Sequence, residues 1–294
     1  MKNVPIPEVT ISQLVTAERL NAPDPDFLVS EEVTWMRPSY AYRHAFYMVA
    51  ICTGGFGKAT FNLQEYTFSQ YTLFSVSPQL IIQVLEQSPD IKVSHLVFNK
   101  QFLSGNHINS NFLDTLNFFK PGAFTTITLS KQDAESLLAL FSQIREKNAR
   151  TEHPYRKEIA KSLTISLLYE IEALSQQYSS VIKRKLSRKE ELNKQFQDLL
   201  FRHFKEERTV KFYAGALFVS PKYLMEVIKE VTGRTAGELI DEAVILEAKV
   251  LLKIPELNVS RVSDMLHFPD QSFFGKFFKN HAGFSPSEYR NLTE

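Results

Sequence analysis

Residues 219–233 read VSPKYLMEVIKEVTG, and residues 268–283 read FPDQSFFGKFFKNHAG. Each stretch opens on a polar turn, runs as a short amphipathic segment and stops at a glycine, where a helix end favours positive φ. The two copies agree beyond these limits. Thr209-Val210 matches Asn258-Val259, a capping residue followed by an apolar one. Tyr213 and Leu217 match Val262 and Leu266 on the inner face of a first short helix, and Val219 matches Phe268 in the turn. The second copy then has one extra turn residue. Beyond it Leu224 matches Phe274, Ile228 matches Phe278, Lys229 matches Lys279 and Gly233 matches Gly283.

Each copy therefore reads as helix, tight turn, helix, a unit whose second helix can enter the major groove of a duplex. Between the copies lies AGELIDEAVILEAKVLLK, opened by a Thr235/Glu238 capping box and ended by Pro255. Eighteen helical residues span ~27 Å, a rod that sets two recognition helices roughly one DNA turn, ~34 Å, apart. The apolar positions have a plain structural reading. Phe274 and Phe278, four apart, belong to a core rather than to base stacking, and Tyr289 packs the last helix down. Lys229 and Lys279 either complement a helix dipole or touch phosphate, and Arg290 is either solvated or a phosphate contact.

Outward from this tail, the 294 residues are 44% hydrophobic, enough for packed cores and far from a disordered composition. A single cysteine, Cys52, excludes an internal disulfide framework and a cysteine-rich zinc site. The start of the chain has no long apolar signal-peptide core, and no run approaches the ~20 apolar residues of a membrane helix. A cytoplasmic protein without a membrane partner is expected. Residues 1–180 carry 15 Lys+Arg against 17 Asp+Glu, and residues 181–294 carry 19 against 16. Most of the excess positive charge sits in KRKLSRK, 183–189, which permits nucleic-acid binding without demonstrating it.

Residues 1–32, rich in Pro, Asp and Glu, read as an irregular arm. From 33 to 130 short β-prone runs alternate with turn signals, as in AFYMVAICTGGFGKATFNL and YTFSQYTLFSVSP, and predict an antiparallel sandwich or barrel. GGFGK, 54–58, resembles a phosphate loop but lacks its spacing and following helix, so it reads as a hairpin turn. After 130 the period becomes helical. Ser130 caps a first helix, and Ile159, Leu163, Leu167, Ile171 and Leu174 form one stripe along a second. That stripe packs on its own sheet or serves a dimer. The expected layout is an N-terminal sensing and dimerisation domain over 1–180 with helices across 131–178, a basic linker over 181–189, and an all-α domain over 190–294.

At this point the tail, ~190–291, resembles the DNA-binding domain of the AraC/XylS family of transcriptional regulators. The resemblance rests on VSPKYL with KEVTGRT in the first copy, ILEAKVLL in the linker, and Phe268, Asp270, Ser272, Phe274, Phe278, Lys279, Gly283, Ser285, Pro286, Tyr289 and Arg290 in the second copy. It implies a sequence-specific regulator that is not an enzyme, works as a homodimer on double-stranded promoter DNA, and meets RNA polymerase. Base contacts carried over by the resemblance fall on Lys222, Met225 and Glu226 in the first copy, and on Gln271, Gly275 and Lys276 in the second. Lys can donate to guanine, Gln can bond adenine and Glu can accept from cytosine, whereas Met225 offers apolar contact and Gly275 has no side chain to read with. Phosphate contacts are expected from Lys229, Lys279 and Arg290. The chain departs from the family pattern at Glu226, at His267 where Gly is usual, at Val250 where Arg is frequent, and at Arg261-Val262-Ser263 in place of Glu-Ile-Ala.

The resemblance also implies that the front domain is a small cupin-like barrel followed by dimerisation helices. A barrel of this kind holds a small-molecule effector, and Tyr40, Arg43, Tyr47 and His95 are its candidate lining residues, with an ordinary sandwich core as the plainer reading of each. The sequence has no His-x-His, so neither a metal nor another cofactor is expected. The alternative reading is a cupin-like enzyme or ligand carrier whose tail has lost base readout. A regulator that takes no ligand is a third.

Overall fold

A computed structural model describes residues 8–17, 24–33, 41–78, 80–103, 112–119, 125–181 and 187–292. Tyr40 and most of the basic linker, 182–186, lie outside the described residues. The front part contains strands β1 (Glu8–Val9), β2 (Phe27–Val33), β3 (Arg43–His44), β4 (Tyr47–Gly54), β5 (Phe56–Phe61), β6 (Gln64–Ser69), β7 (Thr72–Val76), β8 (Ile82–Gln87), β9 (Lys92–Phe98) and β10 (Thr125–Thr128). Five form an antiparallel sheet in the order β10-β7-β4-β9-β2, and three form a second sheet, β6-β5-β8. The helices here are α1 (Ile11–Ala17), α2 (Lys100–Leu103), α3 (Phe112–Thr115), α4 (Lys131–Asn148) and α5 (Arg156–Val181).

The central strand β4 is buried on both faces, so its sequence reads as a near-continuous apolar run rather than a clean alternation. Val49 and Ile51 face α4 and α5, packing with Leu96, Phe98, Leu137, Phe141, Leu167 and Ile171. Met48, Ala50 and Cys52 face the smaller sheet, packing with Ala59, Phe61 and Phe68. Period-two side-chain alternation thus builds two cores from one strand. The stripe on α5 belongs to the first of these: Leu167 and Ile171 are buried in it, and Leu163 and Leu174 pack against it. Tyr155, just ahead of α5, and Tyr169 on it are exposed. Ser130 caps α4 as its sequence predicts, accepting from the Asp133 amide.

The described residues within 1–32, which are 8–17 and 24–32, differ from the irregular arm expected for that stretch. They supply α1 and the edge strand β2, which pairs antiparallel with β9 from Phe27↔Phe98 onward. The physical reason is local burial. Phe27, Leu28 and Val29 are buried in the sheet, while Glu31 reaches out to Arg145 at 2.7 Å. The acidic end of the strand disguises a short apolar run.

The tail is helical throughout, as its period predicts: α6 (Arg188–His203), α7 (Val210–Ala216), α8 (Pro221–Thr232), α9 (Ala236–Leu252), α10 (Val259–Met265), α11 (Gln271–Ala282) and α12 (Pro286–Asn291). One core joins these helices through Phe196, Leu200, Tyr213, Leu224, Ile228, Val244, Leu251, Val262, Phe274 and Phe278. Helix α9 runs 17 residues between the two short-helix pairs, which corresponds to ~25 Å. The front part docks on the flank of this rod, with Ala41 and Ile81 packed on Leu246 and Val250. Beside that patch Arg43 meets Glu247, whose side chain is fully buried.

Candidate nucleic-acid interface

The two helix pairs share one backbone plan. Helices α7 and α10 are each seven residues, α8 and α11 each twelve. Thr209 and Asn258 cap the first helices, accepting from the Phe212 and Arg261 amides. The reversal uses matching bonds: Leu217 N–H to Tyr213 O, Phe218 to Gly215 and Val219 to Ala214 in one unit, then Leu266 to Val262, His267 to Asp264 and Phe268 to Ser263 in the other. Ser220 and Asp270 cap the second helices, and Pro269 is the extra residue in the second turn. Gly233 and Gly283 end them in the left-handed region, with φ of 74° and 80°.

The similarity extends past the glycines. Thr235 with Glu238 and Ser285 with Glu288 each form a capping box that starts the next helix. Those hydrogen bonds hold both carboxyls below the ordinary range, helped by Lys229 beside the first and Lys279 beside the second. The glycine-x-hydroxyl-x-x-glutamate spacing carries this signal in both copies. Each turn also places a bulky residue at positive φ, Phe218 at 55° and His267 at 52°. His267 therefore does adopt the backbone geometry that glycine would take there.

Most of the anticipated DNA-facing residues point outward. Lys222, Met225, Glu226 and Lys229 are exposed on α8, and Gln271, Lys276 and Lys279 are exposed on α11. Gly275 is partly exposed, and a Cβ built on it meets nothing within 4 Å. The inward faces are the ones expected, with Leu224, Ile228, Phe274 and Phe278 fully buried. Phe278 also meets the Tyr289 ring at 5.5 Å. Phe273 differs from its aromatic neighbours in being exposed. Arg290 is turned inward: it donates from Nε to the Leu252 carbonyl at 3.2 Å, at the end of α9. Its placement suits a helix terminus, where a cation complements the last carbonyls.

One buried group is out of keeping with the repeat. Ser263 is fully buried, and its hydroxyl has no hydrogen-bond partner among the described residues. The equivalent residue of the first unit is Ala214, also fully buried. Replacing Ser263 by alanine removes an orphaned polar atom without leaving a large void, so Ser263→Ala should stabilise the tail by about 1 kcal/mol. A urea titration checks this, and a lower midpoint than wild type would show that the hydroxyl has a partner.

The three described effector candidates, Arg43, Tyr47 and His95, do not converge on one site. Tyr47 lies on the helix side of the large sheet, 5.7 Å from the Phe98 ring and 5.1 Å from the Phe119 ring. His95 pairs in register with Ala50 and shares that residue's face, toward the smaller sheet. Arg43 turns away from both to the tail, donating from Nη1 and Nη2 to Glu247 at 3.2 and 2.6 Å, while Lys205 reaches the same carboxylate at 2.8 Å. Sequence reasoning overlooked His44 as His95's companion. Both rings are buried; desolvation lowers His44 to about 3, with His95 adding to it, and lowers His95 to about 4. They are neutral imidazoles near pH 7. Among the described residues no group of three or more His, Cys, Asp or Glu side chains is placed to hold a metal. No described helix is long and apolar enough to cross a membrane.

Two helix-turn-helix units in series, joined by one rod-like helix and presenting polar side chains from both second helices, define a DNA-binding domain of the double-unit class. Residues 213–292 match a family model described as a helix-turn-helix domain. Over this stretch the tail resembles the AraC/XylS family of transcriptional regulators. It is 30% identical over 91 residues to the HTH-type transcriptional regulator YisR of Bacillus subtilis, a match covering 31% of this chain and 32% of that protein. It is 32% identical over 77 residues to the Msm operon regulatory protein of Streptococcus mutans, covering 26% and 28%. These matches thus span about a third of the relatives' own lengths. A longer, weaker likeness, 23% over 253 residues, joins it to the transcriptional activator RhaS of an Enterobacter species and covers 85% of this chain and 86% of that one. Apo ToxT from Vibrio cholerae aligns over 93% of this chain and all of its own at 16% identity, with a TM-score of 0.39.

Proposed function

We propose that the chain is a sequence-specific transcription regulator that binds promoter DNA through residues 190–294. The observation that carries this reading is the repeated helix-turn-helix geometry with its two exposed recognition faces. Lys222 on α8 and Lys276 on α11 are both exposed, as is Gln271 five residues ahead of Lys276; Glu226 and Gly275 make the two faces unequal. The units would therefore read different sequences on successive major-groove segments of one duplex. Residues 1–180 act as a cupin-like front domain and 181–189 as a basic linker. The protein works as a homodimer, with the start of α5 beside Tyr155 and its exposed side around Tyr169 as the surface available to a partner copy. An effector would occupy the interior near His44 and His95, the neutral pair between the two sheets. Contact with RNA polymerase and a cytoplasmic location accord with such a role.

Competition binding tests the reading. The full chain at moderate salt should retain particular genomic fragments against excess random DNA, and equal binding to all fragments would refute it. Lys276→Ala should weaken binding by ~1–3 kcal/mol and relax preference at one base pair if the side chain makes a good base contact. An equal loss on random DNA would assign Lys276 to phosphate instead.

A further inference from the structure

Arg208 precedes Thr209, the residue that caps the first unit, yet its guanidinium lies in the second. It donates to the carbonyl of Leu266, the C-cap of α10. Its central carbon stands 3.7 Å from the centre of the Phe268 ring and 6.0 Å from that of Phe277 on α11. Phe268 in turn contacts Phe274 and Phe277 at 5.2 and 5.1 Å. The carbonyl it holds immediately precedes His267, the residue at positive φ. One side chain thus spans from the start of the first unit to the turn that aims the second recognition helix. Both units also pack on α9, through α8 and α11.

We propose that Arg208 is a positioning residue for DNA readout, fixing how α11 is set relative to the first unit and hence the gap between the two subsites of one DNA site. This rests on the DNA-binding function proposed above. The chemistry calls for arginine. A planar guanidinium can lie on a ring face while sending a directed N–H to a carbonyl in the same plane, which a lysine ammonium cannot do. The contact also acts where leverage is greatest, because a small rotation at a turn swings the whole of the helix that follows.

The full chain is used to select sites from a random duplex pool, as wild type, Arg208→Met and Arg208→Lys. Wild type should select a bipartite motif with one gap length. Arg208→Met should keep both half-motifs, select a spread of gap lengths, and bind the wild-type site about tenfold more weakly, a change of ~1.4 kcal/mol. Arg208→Lys should recover part of the affinity. The same single gap length in Arg208→Met, whatever its affinity, would overturn the proposal. Failure of wild type itself to select any motif would instead remove the DNA-binding reading, and the proposal with it. Phe268→Leu, which keeps the turn apolar and removes the ring, provides a second route to the same spread should Arg208→Met fail to fold. A readout free of DNA completes the test. Spin labels at Glu230→Cys and Asn280→Cys, both exposed, should report one narrow distance in wild type and a broad distribution in the Phe268→Leu background. An unchanged distribution would contradict the proposed role.

Discussion

Arg43→Ala is expected to destabilise the full chain by about 3 kcal/mol, because it strips the main partner from a carboxylate buried in the linker helix. Glu247 is completely enclosed, and its three charge-assisted bonds come from Arg43 and Lys205. Breaking one side of a buried pair costs ~3–5 kcal/mol. The lower end applies because Lys205, partly exposed, remains in place. Replacing both members by apolar residues of similar size should be nearly neutral, since no buried charge is then left behind and the partly exposed Lys205 can turn to water. Chemical denaturation of Arg43→Ala, and of Arg43→Met combined with Glu247→Leu, checks both expectations. A large loss in the double variant would show that the pair stabilises outright.

The same region gives the stability a direction with pH. Burial works to raise the Glu247 carboxyl, but Arg43 and Lys205 outweigh it and hold the group below its ordinary value of 4.5. The unfolded chain therefore binds the proton more readily, and this contribution is full above about 4.5 and lost as the pH falls further. His44 and His95 act earlier. Their folded values of about 3 and 4, against 6.5 when unfolded, mean that stability declines as soon as the pH drops below 6.5. Arg43→Ala should leave this upper part of the acid profile intact and blunt the lower part.

Leu224→Asp is expected to unfold the first helix-turn-helix unit, at a cost of about 4–5 kcal/mol. Leu224 is fully buried on the inner side of α8, in the core shared with Tyr213, Ile228 and Ile240. A carboxylate there has neither water nor a cation to compensate its lost hydration. Circular dichroism should show reduced helix content or a sharply lowered Tm, together with loss of specific DNA binding. Lys222→Ala, two residues away on the exposed face, should leave the fold unchanged. Unaltered stability in Leu224→Asp would mean that the inward and outward faces of α8 are wrongly assigned.

The tail was legible because its signals are local. Caps, terminal glycines and apolar spacing fall within a few residues of one another, and their recurrence in two copies confirms each reading by the other. The antiparallel front sheets and the capped α4 were legible for the same reason. What escaped depends on partners far apart in the chain. Arg43 and Glu247 are separated by 204 positions, so nothing near Arg43 tells a ligand contact from an ion pair with the tail. A hint did exist in the other partner. Glu247 is the one acidic residue of the otherwise largely apolar run AVILEAKVLL, a position that must be either exposed or paired. Tyr47 and His95 sit on different strands, and only the register between β4 and β9 reveals that they face opposite ways. Arg290, read as solvated or phosphate-bound, instead meets a helix end 38 residues away.

Hydroxyl-radical footprinting of the full chain on its selected DNA site tests the central claim most directly. Two recognition helices set along one rod should protect two short segments about 10 base pairs apart, on the same face of the duplex. Protection of a single segment, or none distinguishable from random DNA, would contradict the double-unit reading of VSPKYLMEVIKEVTG and FPDQSFFGKFFKNHAG.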